Sequence, residues 1–296
     1  MNHLDSLFQN LKALTRYAPG ADGVTSLADM EAAALTAHKR VCSVITTQVY
    51  NIIVGATPEC VVIEPLRQAM ANMTLSVQLT FDTVNRRKNG ADIYKYELEA
   101  MRRAYMENYY NAMDTLIGDI TACQEDSDDT TEAQIAAAWQ NSRYQQLLMA
   151  CQVKTADDFD VIYSIDASQL FFFRTLPIQK EIIDARLGVY FDKLQDNDRV
   201  ASMLRLALCK KVVAAALRRF DILECPATIR NLFDESTVSG QRKDERGSAL
   251  SLADLLDSEA DTLISDIDML LTADGVTDIS SWSAYNQPDD NIVMMP

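Results

Sequence analysis

The chain has 296 residues and a net charge of −16, from 27 basic and 43 acidic side chains, with 48% of its residues apolar and 24% charged. Its 9 glycines and 7 prolines come to less than half of the roughly 12% of average usage, which excludes turn-rich sheet folds and collagen-like repeats. The apolar content excludes wholesale disorder, and so negative a molecule does not suit duplex binding driven by counterion release over its whole surface.

Residues 4–14 are patterned as a short amphipathic helix, which Pro19, Gly20 and Gly23 bring to an end. Ser26 is the predicted N-cap, with Asp29 and Glu31 in the first turn, of a helix running to about Val54, where Gly55 stops it. A further helix is predicted from about Glu64 to Asn85. The strongest periodicity runs from about Ala91 to Cys123, through Ile93, Leu98, Met101, Tyr105, Tyr109, Ala112, Leu116 and Ile120. Such a rod extends on the order of 50 Å. It suits an elongated body or a contact between subunits, and equally a helix packed along its own two-domain body.

Residues 124–131 are polar and acidic and read as a linker or exposed loop, after which Thr130 or Thr131 caps a helix to about Met149. The stretches 159–165 and 170–173 are β-prone, so one or two short strands are expected between residues 147 and 176. Helical periodicity resumes over 178–194 and 200–223, where the run from Val212 to Leu217 is apolar on nearly every side and belongs in the core. Residues 236–247 read as a mobile connector and 250–271 as a last amphipathic helix, and the terminal stretch with Trp282 and Tyr285 looks irregular.

These elements make a mainly α, elongated helical protein with at most a few short strands. It divides into an N-terminal module (1–125), a C-terminal module (126–240) and an acidic extension (241–296) carrying one amphipathic helix. The two modules echo one another. Residues 38–53 align with 179–194 through Val41/Ile182, Cys42/Ile183, Val49/Tyr190 and Ile53/Leu194, and residues 66–70 (LRQAM) align with 204–208 (LRLAL). Amphipathic helices share apolar spacing by chance, so duplication and coincidence both fit.

Chemical signatures are missing. The two histidines, His3 and His38, have no second His or Cys at zinc-ligand spacing and read as exposed side chains. Six scattered cysteines, without a C-x-x-C pair, read as reduced core residues of a cytosolic protein. No phosphate-binding loop, dinucleotide fingerprint or hydrolase elbow occurs, and residues 126–137 fail as a calcium loop at the sixth and twelfth positions, Thr131 and Ala137. The expectation is therefore no enzyme, no metal, no cofactor and no membrane span. Basic groups such as Lys210-Lys211 and Arg218-Arg219 are expected to pair with local acids.

Two features point to partners. The run Phe171, Phe172 and Phe173 is either core or an apolar plug seated in an adjacent subunit, and with Trp282 and Tyr285 it supplies the candidate interface aromatics. Residues 247–296 hold ten acids and no Lys or Arg. They form either a solvated face or an acidic arm for a basic partner, and their removal is expected to spare folding and weaken attachment.

Three stretches, the helix at 92–99 (DIYKYELE) leading to 112–117 (AMDTLI), the segment 159–173 and the helix pair over 176–220, resemble an uncharacterised family from gut Bacteroidetes and their phages and prophages, encoded beside virion genes. That family is similar in pattern to helical head-tail connector (adaptor, head-completion) proteins. The resemblance implies a virion structural protein, assembled in the bacterial cytoplasm, that forms a homo-oligomeric ring against portal or tail proteins while DNA passes without sequence-specific binding. An acidic cytosolic regulatory module, an inhibitor or nucleic-acid mimic acting through the tail, is the alternative.

Overall fold

The computed structural model describes residues 3–19, 26–56, 60, 62–88, 95–193, 197–234 and 245–274. Among them the protein is mainly α, with thirteen α-helices and no strand: α1 (Leu11–Thr15), α2 (Glu31–Ile45), α3 (Thr47–Gly55), α4 (Ile63–Lys88), α5 (Lys95–Ala122), α6 (Thr130–Gln140), α7 (Arg143–Met149), α8 (Ala156–Ile162), α9 (Gln169–Ile182), α10 (Gly188–Asp192), α11 (Asp198–Arg219), α12 (Ala227–Asp234) and α13 (Glu245–Asp274).

Where the chain departs from its own periodicity, local chemistry explains the departure. The helix expected from Ser26 to Val54 is two helices, because Thr46 adopts φ 74° and ψ 154°, a region that side chains with a Cβ seldom enter. Its hydroxyl then accepts from the Val49 N–H at 3.4 Å and starts α3. Replacing Thr46 with glycine is expected to relieve the strain at little capping cost, raising stability by about 1 kcal/mol and Tm by about 2–4 °C in a thermal melt. A lowered Tm would show that the hydroxyl outweighs the strain.

The strands expected between 147 and 176 are helices instead. Thr155 and Ser168 accept from the N–H groups of Asp158 and Phe171 at 3.0 and 3.2 Å, so each β-prone run begins with a cap. Phe159, Leu170, Phe171, Phe172 and Phe173 are all buried on the resulting helices, and burial outweighs a weak strand preference. Asp129, rather than either threonine, caps α6, accepting from the Thr131 N–H at 2.8 Å.

One packing order occurs twice along the chain. In the first, α2 packs on α4 and α4 on α5; in the second, α9 packs on α11 and α11 on α13. In each series the first helix is interrupted. When His38 is aligned with Gln179, Thr46 falls on Leu187, the last residue of the π-helical turn Ile183–Leu187 that separates α9 from α10. A single hydrophobic core runs through both modules, from Leu4 to Ile267.

The amphipathic helix of the acidic extension is part of that core. Ala249, Ala253, Leu256, Ala260, Ile264 and Ile267 on α13 are buried at the three- and four-residue steps of one helical face. Small residues on both helices, including Ala207 and Ala214 of α11, suit a close approach of the two backbones. The acids flanking this face meet the basic doublets of α11: Lys210 pairs with Glu259 at 2.6 Å, Lys211 with Asp261 at 3.0 Å and Asp257 at 3.4 Å, and Arg218 with Asp254 at 2.8 Å and with Asp257. Arg186 also reaches Asp261, at 2.8 Å. Much of the extension's charge thus has its basic partner inside the same chain, and its removal cannot leave folding untouched.

Candidate functional site: a polar seam and an exposed hairpin face

A cleft that brings several charged side chains together lies where α5 meets the turn at 163–168, the 3-10 turn Ile222–Glu224 and the start of α12. It encloses about 360 Å³ and is lined by Glu107, Tyr110, Asp114, Asp166, Glu224 and Arg230 among others. A neighbouring hollow of about 210 Å³ shares Tyr110, Leu170 and Glu224 with it and adds Arg40 and Arg174.

The turn is set by Asp160, whose carboxylate accepts from the N–H groups of Ile165 at 2.7 Å and Ala167 at 3.1 Å. Those two backbone donors hold it below the usual carboxylate range. Asp166 and Ala167 consequently sit in the left-handed region, at φ 56° and 48°. This aims Asp166 at the start of α12, where it accepts from the Thr228 N–H at 2.8 Å and from the Thr228 hydroxyl. Asp114 on α5 accepts from the Ser168 hydroxyl and the Leu170 N–H, both at 2.8 Å. Glu107 pairs with Arg230 at 3.1 Å. Glu224 accepts from Arg174 at 3.2 Å and from the Tyr110 hydroxyl at 3.4 Å.

Each of the four carboxylates lining the larger cleft is engaged by a protein donor from another element. The Ser168 hydroxyl sits between Asp114 and the N-terminus of α9 with no histidine beside it. Burial pushes the Cys225 thiol up to about 12, so it stays protonated at neutral pH. Burial likewise raises the Tyr110 hydroxyl. Among the described residues no group of three or more His, Cys, Asp or Glu side chains is placed to hold a metal ion, and no helix is long and apolar enough to cross a membrane.

Phe171, Phe172 and Phe173 are 1%, 1% and 2% exposed. Phe173 meets the rings of Trp139 and Tyr144 edge-on, at 5.2 and 6.2 Å between centroids, and Phe171 meets Phe220 at 6.4 Å. The three side chains therefore belong to the core, and the plug reading is corrected: no face of them is left for a neighbouring subunit. Trp282 and Tyr285 lie outside the described residues, as do residues 235–244 of the expected connector.

The histidines are not two isolated exposed groups. His3 stacks on His38, with ring centroids 3.9 Å apart and 11° between planes. Nothing in the local sequence signals this contact; the one hint is the four-residue step from His38 to Cys42, whose sulfur lies 3.3 Å from His38 Nε2.

Large apolar side chains are exposed at several places among the described residues, Val161 and Met149 most of all, and two of them lie on the paired helices α4 and α5. From residue 97 to 104 no side chain of α5 is buried, and burial begins at Tyr105, leaving a stretch of about 12 Å. Met101 is 42% exposed there, and Phe81, towards the end of α4, is 46% exposed. Sequence reasoning placed Met101 in the helix's apolar stripe without separating its covered part from its open one. Comparison of the chain with family models, with curated proteins and with solved structures finds no match.

Proposed function

We propose that this chain acts by docking, as a structural protein of a phage particle: a head-tail connector that packs against copies of itself and against the portal. The observation that carries the reading is the pair of exposed apolar side chains, Phe81 and Met101, on the long paired helices α4 and α5 of a molecule whose α11/α13 and α5/α12 charges pair with one another. Large apolar side chains on a helical strut are suited to a protein interface, where a few buried anchors carry most of the binding energy. The resemblance of residues 92–117, 159–173 and 176–220 to virion-encoded proteins supplies the phage context. A net charge of −16 fits passage of DNA without adhesion. The acidic-mimic alternative is weakened, because Asp254, Asp257, Glu259 and Asp261 already face cations of the same chain.

The test pairs assembly with stability. Purified full-length chain, alone and mixed with the cognate portal, is expected to form a ring by light scattering and negative-stain imaging. The double substitution Phe81→Asp with Met101→Asp is expected to reduce that assembly while the chain keeps a cooperative melt, at a cost of about 1–3 kcal/mol from the covered parts of both side chains and the lower helix propensity of Asp. A wild-type chain that stays monomeric even with portal present would overturn the proposal.

A further inference from the structure

The stacked histidines join two separate parts of the fold. His3 belongs to an N-terminal turn in which the N–H groups of Leu7 and Phe8 donate to the Leu4 carbonyl at 3.0 and 2.8 Å and the Ser6 hydroxyl donates to the His3 carbonyl at 2.9 Å. His38 lies on α2, and its ring meets Tyr50 of α3 edge-on at 4.6 Å. Leu4, Leu7 and Phe8 anchor the turn in the core, and Arg67 of α4 donates through Nε to the Leu7 carbonyl at 3.1 Å. The contact of the N-terminal turn with the body is thus apolar beneath and imidazole on imidazole at one edge.

We propose that this pair is an acid-sensitive latch: charging both rings separates them and loosens residues 3–10 from α2 and α3. Neutral imidazoles stack without penalty, whereas two imidazolium ions held face to face repel, and partial burial denies them the solvent that would screen the repulsion. Burial, and then the charge of His3, hold His38 below the ordinary histidine range. The charged and titratable groups beside the stack are Asp5 on the N-terminal turn, Lys39 and Cys42 on α2 and Tyr50 on α3; Arg40 reaches Met73 instead, and Arg67 of α4 is engaged by Glu64 and the Leu7 carbonyl. Burial pushes the Cys42 thiol up to about 11 and raises the Tyr50 hydroxyl further still, so neither changes charge where histidine does. Asp5 and Lys39 are both exposed to solvent.

The sign follows from linkage. His38 binds a proton more weakly in the folded chain than in the unfolded one, so the contact has full strength above the unfolded value of 6.5 and weakens as the pH falls below it. Opening would uncover Leu4, Leu7 and Phe8 together with the surface they occupy, converting a drop in pH into an apolar patch.

Amide hydrogen exchange of the full chain at about pH 7.5 and about pH 5.5, corrected for intrinsic rates, tests the latch. Protection of the Leu7 and Phe8 amides is expected to fall about tenfold on acidification while α11 and α13 keep theirs, and His38→Gln or His3→Gln is expected to abolish that response. His3→Gln, in the half-buried turn, carries the test should the α2 variant fail to fold. Protection independent of pH in the wild type, the same loss in the variants, or a loss spread evenly over the chain would each overturn the proposal.

Discussion

Deleting residues 245–296 is expected to abolish the cooperative melting of the second module. The deletion strips Leu256, Ile264, Ile267 and three alanines from the face that α13 lays on α11. Full burial of each large aliphatic side chain contributes about 1.5–3 kcal/mol, so three of them approach the whole stability of about 5–15 kcal/mol typical of a domain. The ion pairs along the same seam matter far less. Arg218 and its partner Asp254 are 35% and 76% exposed, and pairs that open to water contribute about 1 kcal/mol or less. Arg218→Ala should therefore lower stability modestly and in a salt-dependent way, while the deletion should leave a broad, non-cooperative transition in circular dichroism. A sharp melt at the wild-type temperature after deletion would show that α13 is an appendage.

Phe172→Ala is expected to cost about 3–5 kcal/mol, the range for emptying a well-packed aromatic site. Phe172 is 1% exposed and meets Phe173 at 5.4 Å between centroids, with the rings nearly perpendicular. The substitution separates the two readings of the Phe171–Phe173 run. A docking plug would lose assembly at unchanged stability; a core residue loses stability in the isolated chain, seen as a lower midpoint in urea unfolding. The same region holds a polar clamp with no slack. Gln179, fully buried, accepts through Oε1 from the N–H groups of Gln152 and Val153 at 2.9 and 2.8 Å, which ties the chain after α7 to α9.

Much of the helical framework was legible because it rests on local periodicity. The long helix predicted over 91–123 is α5, Lys95–Ala122, and the expected last helix over 250–271 lies within α13, Glu245–Asp274. The alignment of Leu66 with Leu204 set α4 and α11 at corresponding positions. What escaped the sequence depends on contacts between distant residues or on backbone strain. Thr46 carries no mark of its positive φ, since a β-branched residue is among the last to be expected there. The β-prone runs became helices because tertiary burial of Phe159 and of Phe171 to Phe173 outweighed local preference.

The seam was legible only in part. Its basic half could have been found: Lys211 and Arg218 stand seven residues apart on one face of α11, and Asp254, Asp257 and Asp261 recur at three- and four-residue steps on α13. Their mutual approach needed the fold. The carboxylates of the cleft gave no signal at all, because Glu107 meets Arg230, and Asp114 meets Ser168, across separations that no spacing rule covers. The histidine stack is of the same kind.

The most direct test of a virion role is a quantitative mass-spectrometric inventory of phage particles purified from cells that carry this gene, after prophage induction. The account predicts its peptides in intact particles, in a fixed ratio to the portal and retained through washing and density-gradient purification. Particles that are complete, infectious and free of this chain would contradict it.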